Sequence, residues 1–188
     1  PPLSYSSEEF KKQVAEVKEY VTTKATRENI AIVHFWADGA GTYTPPGHWN
    51  AIAEKYIVAD KQSEFRTARN YALLNTAMMD AAISCWYTKT YYYFPRPSQA
   101  DPSIKTLTGV PNFPAFSSGH STFSAAAATV LGYLFPSDAA KFSAMASEAS
   151  MSRLMGGIHY RMDCEFGLKY GKLVGDKAVA RGQQDGVK

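Results

Sequence analysis

Three short segments hold nearly every side chain whose type and spacing point to chemistry. The first is Lys89, followed after six residues by Arg96-Pro97. The second is Ser117-Ser118-Gly119-His120. The third is Ser152-Arg153, then His159 after five residues and Asp163 after three more. Lys89, Arg96 and Arg153 are cations, and a guanidinium can engage two oxygens at once. Ser118-Gly119 stands where a long loop meets a helix start, so unpaired N–H groups and the helix dipole favour an anion there. The glycine lets the backbone approach closely, and the Ser118 hydroxyl adds a donor. Such a set suits a tetrahedral oxyanion. In phosphoryl transfer, for example, negative charge spreads over three equatorial oxygens, and preorganised cations and N–H groups stabilise it. The expected site therefore holds phosphate or vanadate through Lys89, Arg96, Ser118, Gly119 and Arg153.

Two histidines remain for the axis of that tetrahedron. A neutral imidazole can attack phosphorus or coordinate vanadium through one ring nitrogen, and the other nitrogen then needs an acceptor. His159 and Asp163 are four residues apart and share a face on a helical turn, so Asp163 can fix the tautomer of His159 and stabilise its charged form. His120 opens a helix on the far side of the anion. From there it can give a proton to a leaving group or take one from peroxide or water.

The elements that must position these groups read as helices nearly throughout. Ser7 with Glu8-Glu9 opens one, and Phe10, Val14, Val17 and Val21 recur at helical spacing. Ile30 to Trp36 continues the pattern, with an expected end near Asp38-Gly39. A loop from Gly39 to Gly47 follows, and Pro46 suits the first turn of the next helix, running towards Tyr56. The longest helical stretch spans about Ser63 to Thr88. The segment Phe94 to Phe116 has five prolines and almost no periodicity, an unusually long loop and the kind that is often functional. Helices are then expected from Ser118-Gly119 to Phe135, from Pro136 to Met155 and from Asp163 to Gln183, with Gly156-Gly157 as an interruption. The predicted fold is an all-α bundle of about six or seven helices, its active site lying in inter-helix loops.

Composition narrows the function. The chain has 188 residues, 45% hydrophobic and 20% charged, which fits one helical domain over 1–188. A net charge of +3 is too small for a general nucleic-acid binder. The longest apolar run, Phe123 to Phe135, is 13 residues and too short to span a bilayer. The opening Pro1-Pro2-Leu3 lacks a starting Met, so the expectation is a fragment or processed part of a longer protein. Cys85 and Cys164 allow one disulfide at most, with two partly buried thiols the favoured alternative. His48 is expected to be structural or exposed. Tyr91, Tyr92 and Tyr93 are expected to pack around the long loop. Taken singly, each site residue also has an ordinary reading: a solvated cation, a helix cap, a core histidine, a helix-face ion pair. Their joint occurrence in this order is what singles them out.

At these residues the sequence resembles the superfamily that joins vanadium-dependent haloperoxidases to type-2 phosphatidic acid phosphatases and bacterial class A acid phosphatases. The superfamily pattern is Lys-x6-Arg-Pro, Pro-Ser-Gly-His, and Ser-Arg-x5-His-x3-Asp. Lys89, Arg96, Pro97, Ser118, Gly119, His120, Ser152, Arg153, His159 and Asp163 match it in order, over roughly residues 86 to 175, with Ser117 in place of the first Pro of the second segment. Phe35-Trp36-Ala37-Asp38-Gly39, Thr44-Pro45-Pro46, Asn50 and Trp86 resemble the haloperoxidase branch. That resemblance implies that Asp38 supports Arg153. It further implies that His159 is the covalent vanadate ligand of a peroxidase, or the phosphorylated nucleophile of a phosphatase, with His120 as acid/base residue. The implied function is oxidation of halide by hydrogen peroxide at a His-bound vanadate, with phosphate able to occupy the same site. The alternative is a soluble acid phosphatase acting on phosphomonoesters. A third reading is a non-catalytic domain that only binds the oxyanion. The resemblance also suggests a periplasmic or secreted setting, and leaves oligomerisation possible.

Overall fold

The computed structural model describes residues 1–187. The chain runs through α1 (Glu8–Tyr20), α2 (Arg27–Phe35), α3 (Thr44–Ala59), α4 (Glu64–Tyr92), the single-turn α5 (Pro97–Ala100), α6 (Gly119–Leu134), α7 (Ala139–Met155) and α8 (Arg161–Gln184). A 3-10 turn over Pro136–Asp138 leads into α7. Seven of these helices have nine residues or more, and no strand occurs among the described residues, so the all-α expectation holds. No described helix is long and apolar enough to cross a membrane.

Side-chain caps set several of the starts. Ser7, Thr26, Ser63 and Ser118 each accept the N–H three residues on, satisfying a donor that the first turn leaves unpaired. The expected end of the second helix near Asp38-Gly39 is too late, for α2 stops at Phe35. Trp36 leaves the helix for the core, with its indole N–H donating to Glu148 Oε1 at 2.9 Å. Asp38 then adopts φ 44°, a left-handed conformation that no helix continues.

Helix α6 is the centre of the bundle. Ser121 to Ala128, Val130 and Leu131 are all buried, and α3, α4, α7 and α8 pack around them. Its small residues let α8 come very close. Gly167, Gly171 and Gly175 face α6 at four-residue spacing, and a Cβ at Gly171 would sit 2.2 Å from the Thr122 carbonyl oxygen. Large side chains fill the far side: Trp36, Trp49, Phe142, Leu74 and Met78 are fully buried. Trp49 Nε1–H donates to Ser124 Oγ at 2.9 Å, so its burial leaves no orphaned donor.

A second cluster, Phe10, Phe94, Phe116, Leu154 and Tyr160 with Val17 and Ile104, anchors α1 and the long loop to the start of α8. Tyr92 packs on Phe116 at 5.4 Å, whereas Tyr91 and Tyr93 are exposed. Cys85 and Cys164 are both buried free thiols, the second of the two sequence alternatives.

Candidate oxyanion site

The fold brings the three segments to one end of the bundle. Ser118 N–H donates to the Asp163 carbonyl at 3.1 Å, which straps the start of α6 to the start of α8. Arg96 reaches the turn between α7 and α8, where Nη1 donates to Ile158 O at 2.7 Å while Nε donates to Phe113 O at 3.0 Å. Gly157, at φ 78°, reverses the chain between Arg153 and His159; a Cβ there would strike Val21. A cavity of about 680 Å³ opens at this end. Asp38, Arg96, Gly119, His120, Arg153 and His159 line it, together with an apolar wall that includes Trp86, Val110, Phe113 and Phe123. Lys89, Ser118 and Asp163 lie behind those residues, each no more than 1% exposed.

The histidine at the base of the cavity has a defined tautomer. Arg96 Nη1 lies 2.9 Å from His159 Nε2, and a guanidinium can only donate, so Nε2 accepts with its lone pair. The ring proton is therefore on Nδ1, which donates to Asp163 Oδ2 at 2.9 Å. The same carboxylate oxygen accepts Tyr160 N–H at 3.0 Å. Burial, reinforced by the Arg96 and Lys89 charges, keeps the His159 pKa well below its ordinary value, which agrees with the neutral form that the bonds require.

Unused hydrogen-bonding capacity points at the same space. Arg96 Nη2 is buried and has no partner. Arg153 spends Nη2 on Val33 O at 2.7 Å and Nε on Ser152 Oγ at 2.9 Å, and Nη1 has no acceptor among the described residues. Lys89 Nζ donates to the Pro114 and Ala115 carbonyls at 2.7 and 2.9 Å, which leaves one N–H. At the start of α6, Ser118 N–H is taken by Asp163, while Ser121 N–H bonds Ser118 Oγ and Thr122 N–H bonds Ser118 O. The Gly119 and His120 amides have no acceptor among the described residues, so two N–H groups stay open at a helix start, where the dipole favours an anion.

Charge is unbalanced here. Lys89, Arg96 and Arg153 are each 1% exposed, and among the described residues none lies within ion-pair distance of a carboxylate. Burial pulls Lys89 down to about 8 and both arginines to about 10. Burial likewise pushes Asp163 up to about 7 and holds His120 well below its usual range. The lowered values of Lys89, Arg96 and Arg153 mark buried cations lacking a counter-charge, which a bound dianion or trianion would supply.

Asp38 is held differently from the sequence expectation. Its carboxylate accepts His48 Nδ1–H at 3.0 and 3.1 Å and stands 3.9 Å from His120 Nε2, with no direct ion pair to Arg153. The physical reason is its left-handed backbone, which turns the carboxylate towards α3. Asp38 still acts on Arg153 through space, favouring its charged form against the larger effect of burial. His48, expected to be structural or exposed, is 5% exposed. Two contributors carried no motif signal: His48 and the glycine face of α8, although the four-residue spacing of Gly167, Gly171 and Gly175 is readable as close helix packing.

With this geometry in place, comparisons with known proteins are informative. The chain is 32% identical to the crystal structure of a bacterial vanadium-dependent iodoperoxidase, with a TM-score of 0.86 over 96% of this chain and 51% of that one. A bacterial vanadium-dependent chloroperoxidase matches at 16% identity and TM-score 0.79, over 93% of this chain and 48% of that one. A transmembrane PAP2-type phosphatidylglycerolphosphate phosphatase from Bacillus subtilis matches at 16% and 0.69, over 96% of this chain and 89% of that one. At those lower identities the likeness is one of fold. The chain thus spans about half the length of the peroxidases it matches. No curated protein sequence matches it. The family model described as the PAP2 superfamily matches residues 70–178, a stretch containing all three segments, and the chain belongs to that superfamily.

Proposed function

We propose that this chain carries the active site of a vanadate-dependent haloperoxidase, which oxidises halide with hydrogen peroxide. The observation that carries the reading is the 32% identity, over 96% of this chain, to a vanadium-dependent iodoperoxidase. The site fits the anion: Arg96 Nη2 and the Gly119 and His120 amides lack acceptors, and the buried cations lack a counter-charge, all of which an oxyanion would provide. Vanadate would be held by His159 Nε2, with Lys89, Arg96, Ser118, Gly119 and Arg153 on its oxygens. When bound it supplies a Lewis-acid centre at which peroxide becomes reactive towards halide.

The protein's own residues do the rest. His159, kept neutral with its proton on Nδ1, presents a lone pair, and Asp163 stabilises any positive charge that develops on the ring. To free that lone pair, Arg96 must exchange Nε2 for an anion oxygen. His120, held neutral by burial, can accept a proton from hydrogen peroxide or water and later return it. Trp86, Val110, Phe113 and Phe123 keep the rim apolar and limit water.

The test is an orthovanadate-reconstituted assay of iodide and bromide oxidation by hydrogen peroxide, run beside hydrolysis of a phosphomonoester without vanadate. Halide oxidation that depends on vanadate is expected. Hydrolysis with no halide oxidation would sink the reading in favour of an acid phosphatase using a phosphohistidine at His159. Phosphate and vanadate binding with neither turnover would leave an oxyanion-binding domain.

A further inference from the structure

His48 lies outside all three segments, yet the structure gives it a direct bond into the site. It sits in the first turns of α3, 5% exposed, stacked on Trp36 with ring centroids 4.5 Å apart and edged by Phe35 at 5.0 Å and Tyr43 at 5.3 Å. That aromatic slot could be filled equally well by phenylalanine. What phenylalanine could not do is donate from Nδ1 to both oxygens of Asp38, at 3.0 and 3.1 Å. An ionised carboxylate only accepts, so the His48 proton of that bond must be on Nδ1.

Asp38 needs such a holder. Its φ of 44° is a left-handed conformation that costs a non-glycine residue energy and persists where surroundings impose it. The carboxylate so held stands 3.9 Å from His120 Nε2, too long for a hydrogen bond but a close charge contact. His120 Nε2 is buried and has no partner. Around the ring, the Trp36 and Ala37 backbone favours its charged form, while burial and the Arg153 and His48 charges oppose it.

We propose that His48 is a positioning residue for the acid/base histidine: its Nδ1–H fixes the Asp38 carboxylate opposite His120 Nε2, where it stabilises the ring when Nδ1 carries a proton. The inference rests on the proton-transfer role given to His120 above. Three elements meet in this line, with His48 on α3, Asp38 in the connection after α2 and His120 at the start of α6. Loss of the donor would leave the aromatic packing intact but free the carboxylate to turn away.

The experiment compares the unaltered chain with His48→Phe, which keeps the stacking, and His48→Asn, whose amide N–H replaces the Nδ1–H donor. Side-chain 15N NMR of the four histidines reads the His120 ring directly, with inorganic phosphate bound and no turnover required. His48→Phe is expected to shift the His120 ring nitrogens and His48→Asn to restore them. In iodide oxidation, His48→Phe should lower kcat by about tenfold or more with phosphate affinity held within about twofold, and His48→Asn should recover most of the rate. Unchanged His120 signals in His48→Phe, or equal loss in His48→Asn, would overturn the proposal. So would parallel loss of phosphate affinity and rate. Should His48→Phe fail to fold, the unaltered chain decides: a His48 Nδ1 without a proton refutes the bond. A chain that oxidises no halide sinks the functional reading, while the NMR comparison still judges this one.

Discussion

Replacing Gly171 by alanine tests whether the spacing of α6 and α8, whose first turns hold the open Gly119 and His120 amides and Asp163, is set by the absence of a side chain. A Cβ at Gly171 would lie 2.2 Å from Thr122 O, 2.9 Å from the Thr122 carbonyl carbon and 2.9 Å from Ala125 Cβ. Ordinary contact begins at 3.4 Å, so the helices must part by about 1 Å, and two of the three obstacles are backbone atoms that cannot rotate away. In an isolated helix the substitution would gain about 1 kcal/mol from propensity. Forcing one methyl group into a packed interface costs about 1–3 kcal/mol, and immovable backbone argues for the upper end. The net loss is then about 2 kcal/mol, or a fall in Tm of about 4–8 °C for a chain of this size. Gly132→Ala is the control, because its Cβ would meet only Ala139, at 3.2 Å from the Cβ, with the same propensity gain. Thermal denaturation followed by circular dichroism gives both numbers, and phosphate titration calorimetry reads the site. Since α6 begins at Gly119 and α8 holds Asp163 in its first turn, phosphate affinity should fall with Tm. A Gly171→Ala protein as stable as Gly132→Ala would refute the argument.

Inorganic phosphate, present at a hundred times its dissociation constant, should stabilise the protein by about 2.7 kcal/mol, visible as a Tm rise of about 5–10 °C; no rise would contradict a preformed anion seat. His159→Ala should remove turnover in either chemistry and weaken orthovanadate binding. His120→Ala should lower kcat by about 10²–10⁴-fold while leaving phosphate affinity within a few-fold, and equal losses measured by kinetics and calorimetry would deny it an acid/base role. In phosphate-free buffer, stability from Lys89 is present above its unfolded value of 10.5 and lost as pH falls through about 8. Stability from Asp163 is present below 3.8 and lost as pH rises through about 7. Urea midpoints should therefore pass through a trough near pH 7–8 that saturating phosphate makes shallower by pairing with Lys89, and a flat profile in its absence would count against uncompensated burial of these groups.

The three segments were legible because each carries its chemistry locally: a capped helix start at Ser118, a four-residue His159–Asp163 pairing, cations at fixed offsets. Their meeting at one end of the bundle follows from helices whose apolar faces were also readable. What sequence did not reveal depends on partners far along the chain. Lys89 has the right charge, but two of its three donors go to Pro114 and Ala115, some 25 residues on. The helix start at Ser118–Gly119 was expected to offer unpaired amides, yet the Ser118 N–H is spent on Asp163 O, and the amides left open are those of Gly119 and His120. Asp38 was expected on Arg153 and instead faces His48, because the end of α2 came three residues earlier than the apolar run suggested and the chain turned left-handed. His48 in turn was hidden by its neighbours, for a histidine among aromatic residues gives no signal distinguishing a packing role from a polar one.

The buried cations explain why such a site can be built at all from a small helical bundle. Three positive groups, each 1% exposed, lie together with one fully buried carboxylate that they do not directly pair with. Such burial is unfavourable for the charged forms, as the lowered pKa values of Lys89, Arg96 and Arg153 register. The fold offsets it with neutral carbonyls: Pro114, Ala115, Phe113, Ile158 and Val33 each accept from one of the three cations. Carbonyls fix direction without neutralising charge, so the cations stay aimed at the cavity and retain their attraction for an anion. Aspartates in their place would have neutralised the cations and cancelled their attraction for an anion. The long proline-rich loop supplies three of these five carbonyls, so the same bonds that direct Lys89 and Arg96 also tie the loop to the site.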